Sequence, residues 1–160
     1  MTDRETSART GVTDQIAALP MRWEKGGKLR VLMVTSRDRG RWVMPKGWLM
    51  DGKKPWRAAE IEALEEAGAA GFISKKPVGV YHYDKLMGDG TSLRCRVTLY
   101  PLMVERLRRR WKERGQRRRH WFTPGKAAKL VEEKELAALL QDLARKPERR
   151  AALEKLRKAA

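Results

Sequence analysis

Cysteine is almost missing from this chain. Cys95 stands alone among 160 residues, so no internal disulfide can form, and a reducing cytoplasm is the expected setting. Histidine is equally scarce: His82 and His120 together with one cysteine cannot supply a zinc site of the usual kind. No apolar run approaches the ~20 residues that a membrane-crossing helix needs. The N-terminal residues, with Asp3, Arg4, Glu5 and Arg9, lack the apolar segment of a secretory signal. Acidic residues are in short supply, 20 against 37 Lys and Arg, which leaves a formal charge of +17. Such a surface concentrates polyanions, and it leaves nucleic acid, an inositol polyphosphate, a dinucleoside polyphosphate and an acidic membrane all open as partners.

What is present is a folding sequence. Its hydrophobic fraction of 41% and its length suit one domain with a real core. Residues 1–15 are polar and read as a flexible leader, 16–146 as the domain, and 147–160 as a basic helix or tail. Residues 16–23 and 29–35 are apolar and β-branched around the turn chemistry of 24–28, which predicts a hairpin. Residues 42–44, 78–83 and 93–104 also read as strands, with Pro101 suggesting a bulge or an edge in the last. Strand-like composition returns at 118–122. Thr123-Pro124-Gly125 is a helix entry, and 127–131 and 135–143 carry helical spacing. Strands, a helix, strands and helices in that order predict an α+β domain, with helices packed on a mixed sheet.

The informative stretch is Pro45-Lys46-Gly47 through Gly68. A glycine-bearing loop leads to a helix that Pro55 can start, since its missing N–H costs nothing in the first turn. Glu62, Glu65 and Glu66 stand at i, i+3 and i+4, which stacks their carboxylates on one helix face. Trp56, Ala59, Ala63, Leu64 and Ala67 fall on the other side, so the helix is expected to bury one face and present the glutamates from the opposite one. Like charges near a helix C-terminus repel each other and oppose the helix dipole. A divalent cation is the natural compensation, and Mg²⁺ takes such oxygen ligands together with water and substrate phosphates.

These residues resemble the signature of the Nudix hydrolases. Gly47 fits its opening glycine, Glu62 the glutamate of its Arg-Glu pair, Glu65 and Glu66 its paired glutamates, and Gly68 with Ala69 its close. Two positions depart from it: Lys53 replaces the first glutamate, and Ile61 the arginine that helps orient the catalytic glutamate. The resemblance implies a Nudix fold, a mixed sheet sandwiched between helices, and hydrolysis of a pyrophosphate linkage with Mg²⁺ or Mn²⁺. It implies Gly47, Glu62, Glu65 and Glu66 as the metal site, with Glu62 or Glu65 activating the attacking water. The strand leading through a charged loop to Arg117-Arg118-Arg119-His120-Trp121-Phe122 looks like the subgroup acting on diphosphoinositol polyphosphates and diadenosine polyphosphates. Lys46, Arg94 and Arg118 are then the phosphate-binding candidates, arginine being suited by its bidentate fork. Two rivals stand beside this reading: a pyrophosphohydrolase acting on the 5′ end of RNA, and a weakly active Nudix-fold module that only binds polyanions. Trp48 and Trp56 read as loop or core packing, and the two histidines as ordinary strand-end residues.

Overall fold

The computed structural model describes residues 11–145 and 151–159. Period-two alternation along the central strands divides the core. In β1 (Thr13–Trp23), Ala17, Leu19 and Met21 face one side of the sheet while Ile16 and Ala18 face the other; β2 (Leu29–Thr35) splits Val31 and Met33 from Leu32 and Val34 in the same way. The first set packs against α2 (Pro124–Leu130), α3 (Lys134–Arg145) and α4 (Ala151–Ala159), through Ala127, Leu136, Leu140, Leu143, Leu153 and Leu156. The second packs against α1 (Pro55–Ala67), whose Ala58, Ala59, Ala63 and Ala67 let it lie close to the strands. The result is the expected α/β/α arrangement. Among the described residues, no helix is long and apolar enough to cross a membrane.

Eight strands form one mixed sheet, in which β1 runs parallel to β7 (Ser92–Leu107) from Thr13 opposite Cys95 to Met21 opposite Met103. Every other pairing is antiparallel. Beyond β7 lie β6 (Gly79–Leu86) and β5 (Ala69–Ile73); β8 (Arg119–Phe122) and β3 (Trp42–Val43) pair with β2. On its other side β1 is shared. Its first part, Gln15–Ala17, pairs with β4 (Lys46–Trp48), and its last part, from Met21, pairs with β2.

Two sequence expectations change. The strand begins at Thr13, inside the proposed leader, because Thr13 and Gln15 are buried against β7 and β4 despite their polarity; residues 1–10 lie outside the described set. Pro101 sits in a central strand. It falls where β7 exchanges one neighbour for the next, after Leu99 pairs with β6 and before Leu102 pairs with β5, so its missing N–H removes no rung of those ladders. The bulge lies further on, where the register of β5 shifts between Ala70 and Gly71. The C-terminal segment forms α4 from Ala151; residues 146–150 lie outside the described set.

Candidate active site

Helix α1 begins with Pro55 at its first turn and ends at Gly68, whose φ of +63° closes the helix in the left-handed region that glycine tolerates. Its last carbonyls are all engaged. Gly68 N–H reaches Leu64, Glu113 N–H donates to Glu65 at 3.0 Å, the Trp111 indole N–H donates to Glu66 at 3.1 Å, and Arg119 donates to Ala67 at 2.8 Å. The segment between β7 and β8 is thereby bolted to the end of the glutamate-bearing helix.

A cleft of about 430 Å³ opens beside this helix, at the point where β1 passes from β4 to β2. Glu62, Glu65 and Glu66 enter it from α1, Lys46 and Gly47 from β4, and Tyr83 and Lys85 from β6. Glu66 is only 4% exposed and lies on the buried side of α1, contrary to the expectation that all the glutamates face away from the core. Burial, then a hydrogen bond with Glu62, pushes the Glu66 carboxyl up to about 9. Burial also raises Glu62. Burial lowers Lys46, against the attraction of Glu66 and Glu133, and its ammonium lies 5.2 Å from the centre of the Tyr83 ring. Glu65 stands nearer solvent, 3.6 Å from Lys112.

Several residues of this cleft escaped the sequence reading, among them Lys85, Lys112, Glu113 and Arg117. Arg117 lies almost buried between Glu113, to which its Nε donates at 3.0 Å, and Glu66 at 3.7 Å; its other end donates to the Thr35 carbonyl. Glu113 is also 3.7 Å from Arg37. The signal was present: Glu113 is the only acid in the run from 106 to 119, and it stands four residues before Arg117. The proposed phosphate ligands separate. Lys46 is inside the cleft. Arg94 pairs with Asp84 on an outer strand face and lines a different hollow with His82 and Arg39. Arg118 packs over Trp42, outside the cleft lining. Of the tryptophans, Trp48 lines the cleft and Trp56 packs at the start of α1. His82 binds Glu135, and His120 lies against Phe122.

Among the described residues, no group of three or more His, Cys, Asp or Glu side chains is placed to hold a metal ion. Glu62 and Glu66 beside the Gly47 backbone nevertheless make part of one. A Cβ at Gly47 would lie 2.6 Å from the Glu62 carboxylate, so only glycine lets the backbone approach this closely. Two hydrogen-bonded carboxyls, Glu66 buried and Glu62 half-buried, both with raised affinity for a proton, are also a hard-oxygen pair that a Mg²⁺ ion would complete with water and phosphate.

A mixed sheet between helices, with this loop and helix at the fork of its central strand, is the Nudix fold. A Caenorhabditis elegans protein solved as an Ap4A hydrolase binary complex superposes with a TM-score of 0.61 at 20% identity, over 82% of this chain and 95% of that one. The curated proteins that the chain is similar to are Nudix hydrolases. The chain is 33% identical over 126 residues to Nudix hydrolase 12, mitochondrial, of Arabidopsis thaliana, covering 74% of this chain and 60% of that protein. It is 28% identical to human diphosphoinositol polyphosphate phosphohydrolase 3-beta, over 76% of this chain and 71% of that protein. The chain thus spans about three fifths of the Arabidopsis relative's length. No protein-family model matches it.

Proposed function

We propose that the chain is a metal-dependent hydrolase that cleaves a pyrophosphate linkage in a densely phosphorylated small molecule. The observation that carries this reading is the mixture of charges in one cleft: the carboxylates Glu62, Glu65 and Glu66 confront Lys46, Lys85 and Lys112 across a space large enough for a diphosphate. Carboxylates alone would repel such a substrate, and cations alone would only bind it. The names of two similar proteins, an Ap4A hydrolase and a diphosphoinositol polyphosphate phosphohydrolase, refer to ligands of this chemistry.

Glu62 and Glu66, with the Gly47 carbonyl and Glu65 at the mouth, would hold Mg²⁺ or Mn²⁺. When bound, the ion neutralises phosphate charge and acidifies coordinated water. The protein's own groups do the rest. Glu62 or Glu65, both lining the cleft, would take the proton from the attacking water and hold that water in line. The new P–O bond forms as the bridging P–O bond breaks, and the proton leaves through the carboxylate. Lys46 and Lys85 hold the phosphate oxygens. Arg117, braced by Glu113 and Thr35, stands 3.7 Å from the Glu66 carboxylate and supplies a cation beside it.

The test is phosphate or pyrophosphate release from a panel of inositol and nucleotide pyrophosphates, with and without Mg²⁺, for the protein and for Glu66→Gln. Metal-dependent release that Glu66→Gln abolishes is expected. Equal background release in both would defeat the hydrolase reading and leave a binding module. Capped or triphosphorylated RNA in the same panel addresses the 5′-end reading. Localisation to the cytoplasm, suggested by the lone buried Cys95, is read by imaging of the tagged protein.

A further inference from the structure

Behind the catalytic helix, on the far side of the segment that caps it, lies a hollow of about 550 Å³ lined by Arg109, Arg110, Trp111, Arg114 and Arg119. Its lining is four arginines and a tryptophan, with no carboxylate. Arg22, Arg30, Arg37, Arg39, Arg41 and Arg117 each lie within 4.0 Å of a carboxylate. Among the described residues, none of the four arginines of the hollow forms an ion pair. Arg119 is stacked 3.9 Å from the centre of the Trp111 ring and spends one N–H on the Ala67 carbonyl. Burial and the neighbouring Arg114 both disfavour its charged form. Four guanidinium groups around one space repel each other unless something anionic joins them.

The frame that holds them is ordered. Arg108 N–H donates to the Gly68 carbonyl at 2.8 Å, Glu113 N–H to Glu65, and Arg114 N–H to Trp111 at 3.2 Å, so the arginines project from a turn pinned to α1. Guanidinium forks match phosphate oxygens two at a time, and the indole of Trp111 forms an apolar wall.

We propose that this hollow is a second anion site, distinct from the catalytic cleft, that takes a polyphosphate group through Arg109, Arg110 and Arg114. It reaches beyond the hydrolase reading, since binding here requires neither metal nor turnover. Because Trp111 holds the Glu66 carbonyl and Arg119 the Ala67 carbonyl, an occupant touches the last turn of the catalytic helix. The phosphate groups could belong to the distal end of a substrate seated in the cleft or to a separate ligand; the chemistry is the same.

The probe is inorganic tripolyphosphate, added without metal to ¹⁵N-labelled protein while the Trp111 indole N–H signal, assigned with Trp111→Phe, is followed by NMR. The expected result is a saturable shift at near-physiological salt. Half-saturation should move at least ~10-fold higher when Arg109, Arg110 and Arg114 are all replaced by alanine, each bidentate guanidinium–phosphate pair being worth more than a neutral hydrogen bond. Lys46→Met, which weakens the cleft, should leave it in place. All three arginines are exposed, and the amide spectrum of the triple variant reports whether the fold persists. No shift in the parent protein, an equal shift in the triple variant, or an equal shift with sodium chloride of matched ionic strength would overturn the proposal. Once binding is shown, the KM for a many-phosphate substrate separates the sources: a rise in the triple variant marks an extension of the substrate site, and an unchanged value marks an independent ligand.

Discussion

Replacing Gly47 by alanine adds one carbon at the place where strand β4 meets helix α1. That carbon would stand 2.6 Å from both Cδ and Oε1 of Glu62 and 3.0 Å from Oε2, against 3.4 Å for ordinary contact. The backbone does not object, since Gly47 is not among the glycines with positive φ, and its pairing with Ile16 can survive. The clash falls on the far end of a flexible side chain. The carboxylate must therefore retreat by about 0.8 Å, the shortfall from ordinary contact. Folding stability should change by no more than ~1 kcal/mol, as alanine also narrows the unfolded ensemble. On the proposed role of Glu62, activity should suffer far more, because a catalytic group misplaced by roughly 1 Å costs on the order of 100-fold in rate. Steady-state hydrolysis of the best panel substrate, urea denaturation and Mn²⁺ binding by electron paramagnetic resonance read the three effects separately. A Gly47→Ala protein with kcat within ~3-fold of the parent and unaltered Mn²⁺ affinity would refute the claim that Glu62 must sit against this backbone.

Arg117→Met removes the buried cation between Glu66 and Glu113; breaking such a pair from one side costs about 3–5 kcal/mol, which calorimetric unfolding detects, and Arg117→Lys should recover part of the loss. A cost below ~1 kcal/mol would mean that the two carboxylates do not depend on it. The raised Glu66 carboxyl sets a pH dependence for the metal-free protein. The unfolded chain releases this proton near the ordinary value of 4.5 while the fold retains it to about 9, so this group's contribution to stability falls as pH rises through that window. Urea midpoints at pH 5.5 and 8 should show the decline in the parent, less of it with Mg²⁺ present, and much less in Glu66→Gln. Leu140→Ala empties a fully buried position between α3 and the sheet and should cost about 2–5 kcal/mol in the same assay, without changing Mn²⁺ affinity.

Local chemistry was legible where the signal is local. Pro55 and Gly68 mark the two ends of α1 in the sequence as they do in space, and the glutamate spacing foretold three carboxylates that line one cleft. What depended on partners far along the chain was not legible. Thr13 and Gln15 look like leader residues until β7 covers them and Tyr83 donates to the Gln15 amide. Pro101 reads as an edge residue until β6 and β5 are seen to meet on either side of it. The buried Glu66 lies 3.7 Å from Arg117, and the one sequence mark that sets Arg117 apart from Arg118 is Glu113 four residues before it. Strand β8 begins two residues after Arg117, and that register sends one arginine into the cleft and the other over Trp42.

The fork of the sheet at β1 has a mechanical meaning. A cleft between two domains can open and shut on a hinge, but this one is a wedge held apart by strand pairing, with β4 fixed to Gln15–Ala17 on one side and β2 fixed from Met21 on the other. Widening it means breaking rungs of the ladder. The slot therefore behaves as a gauge of constant width, and a change of preferred substrate has to come from its movable rim, where Arg37, Lys85 and Lys112 stand, rather than from its jaws.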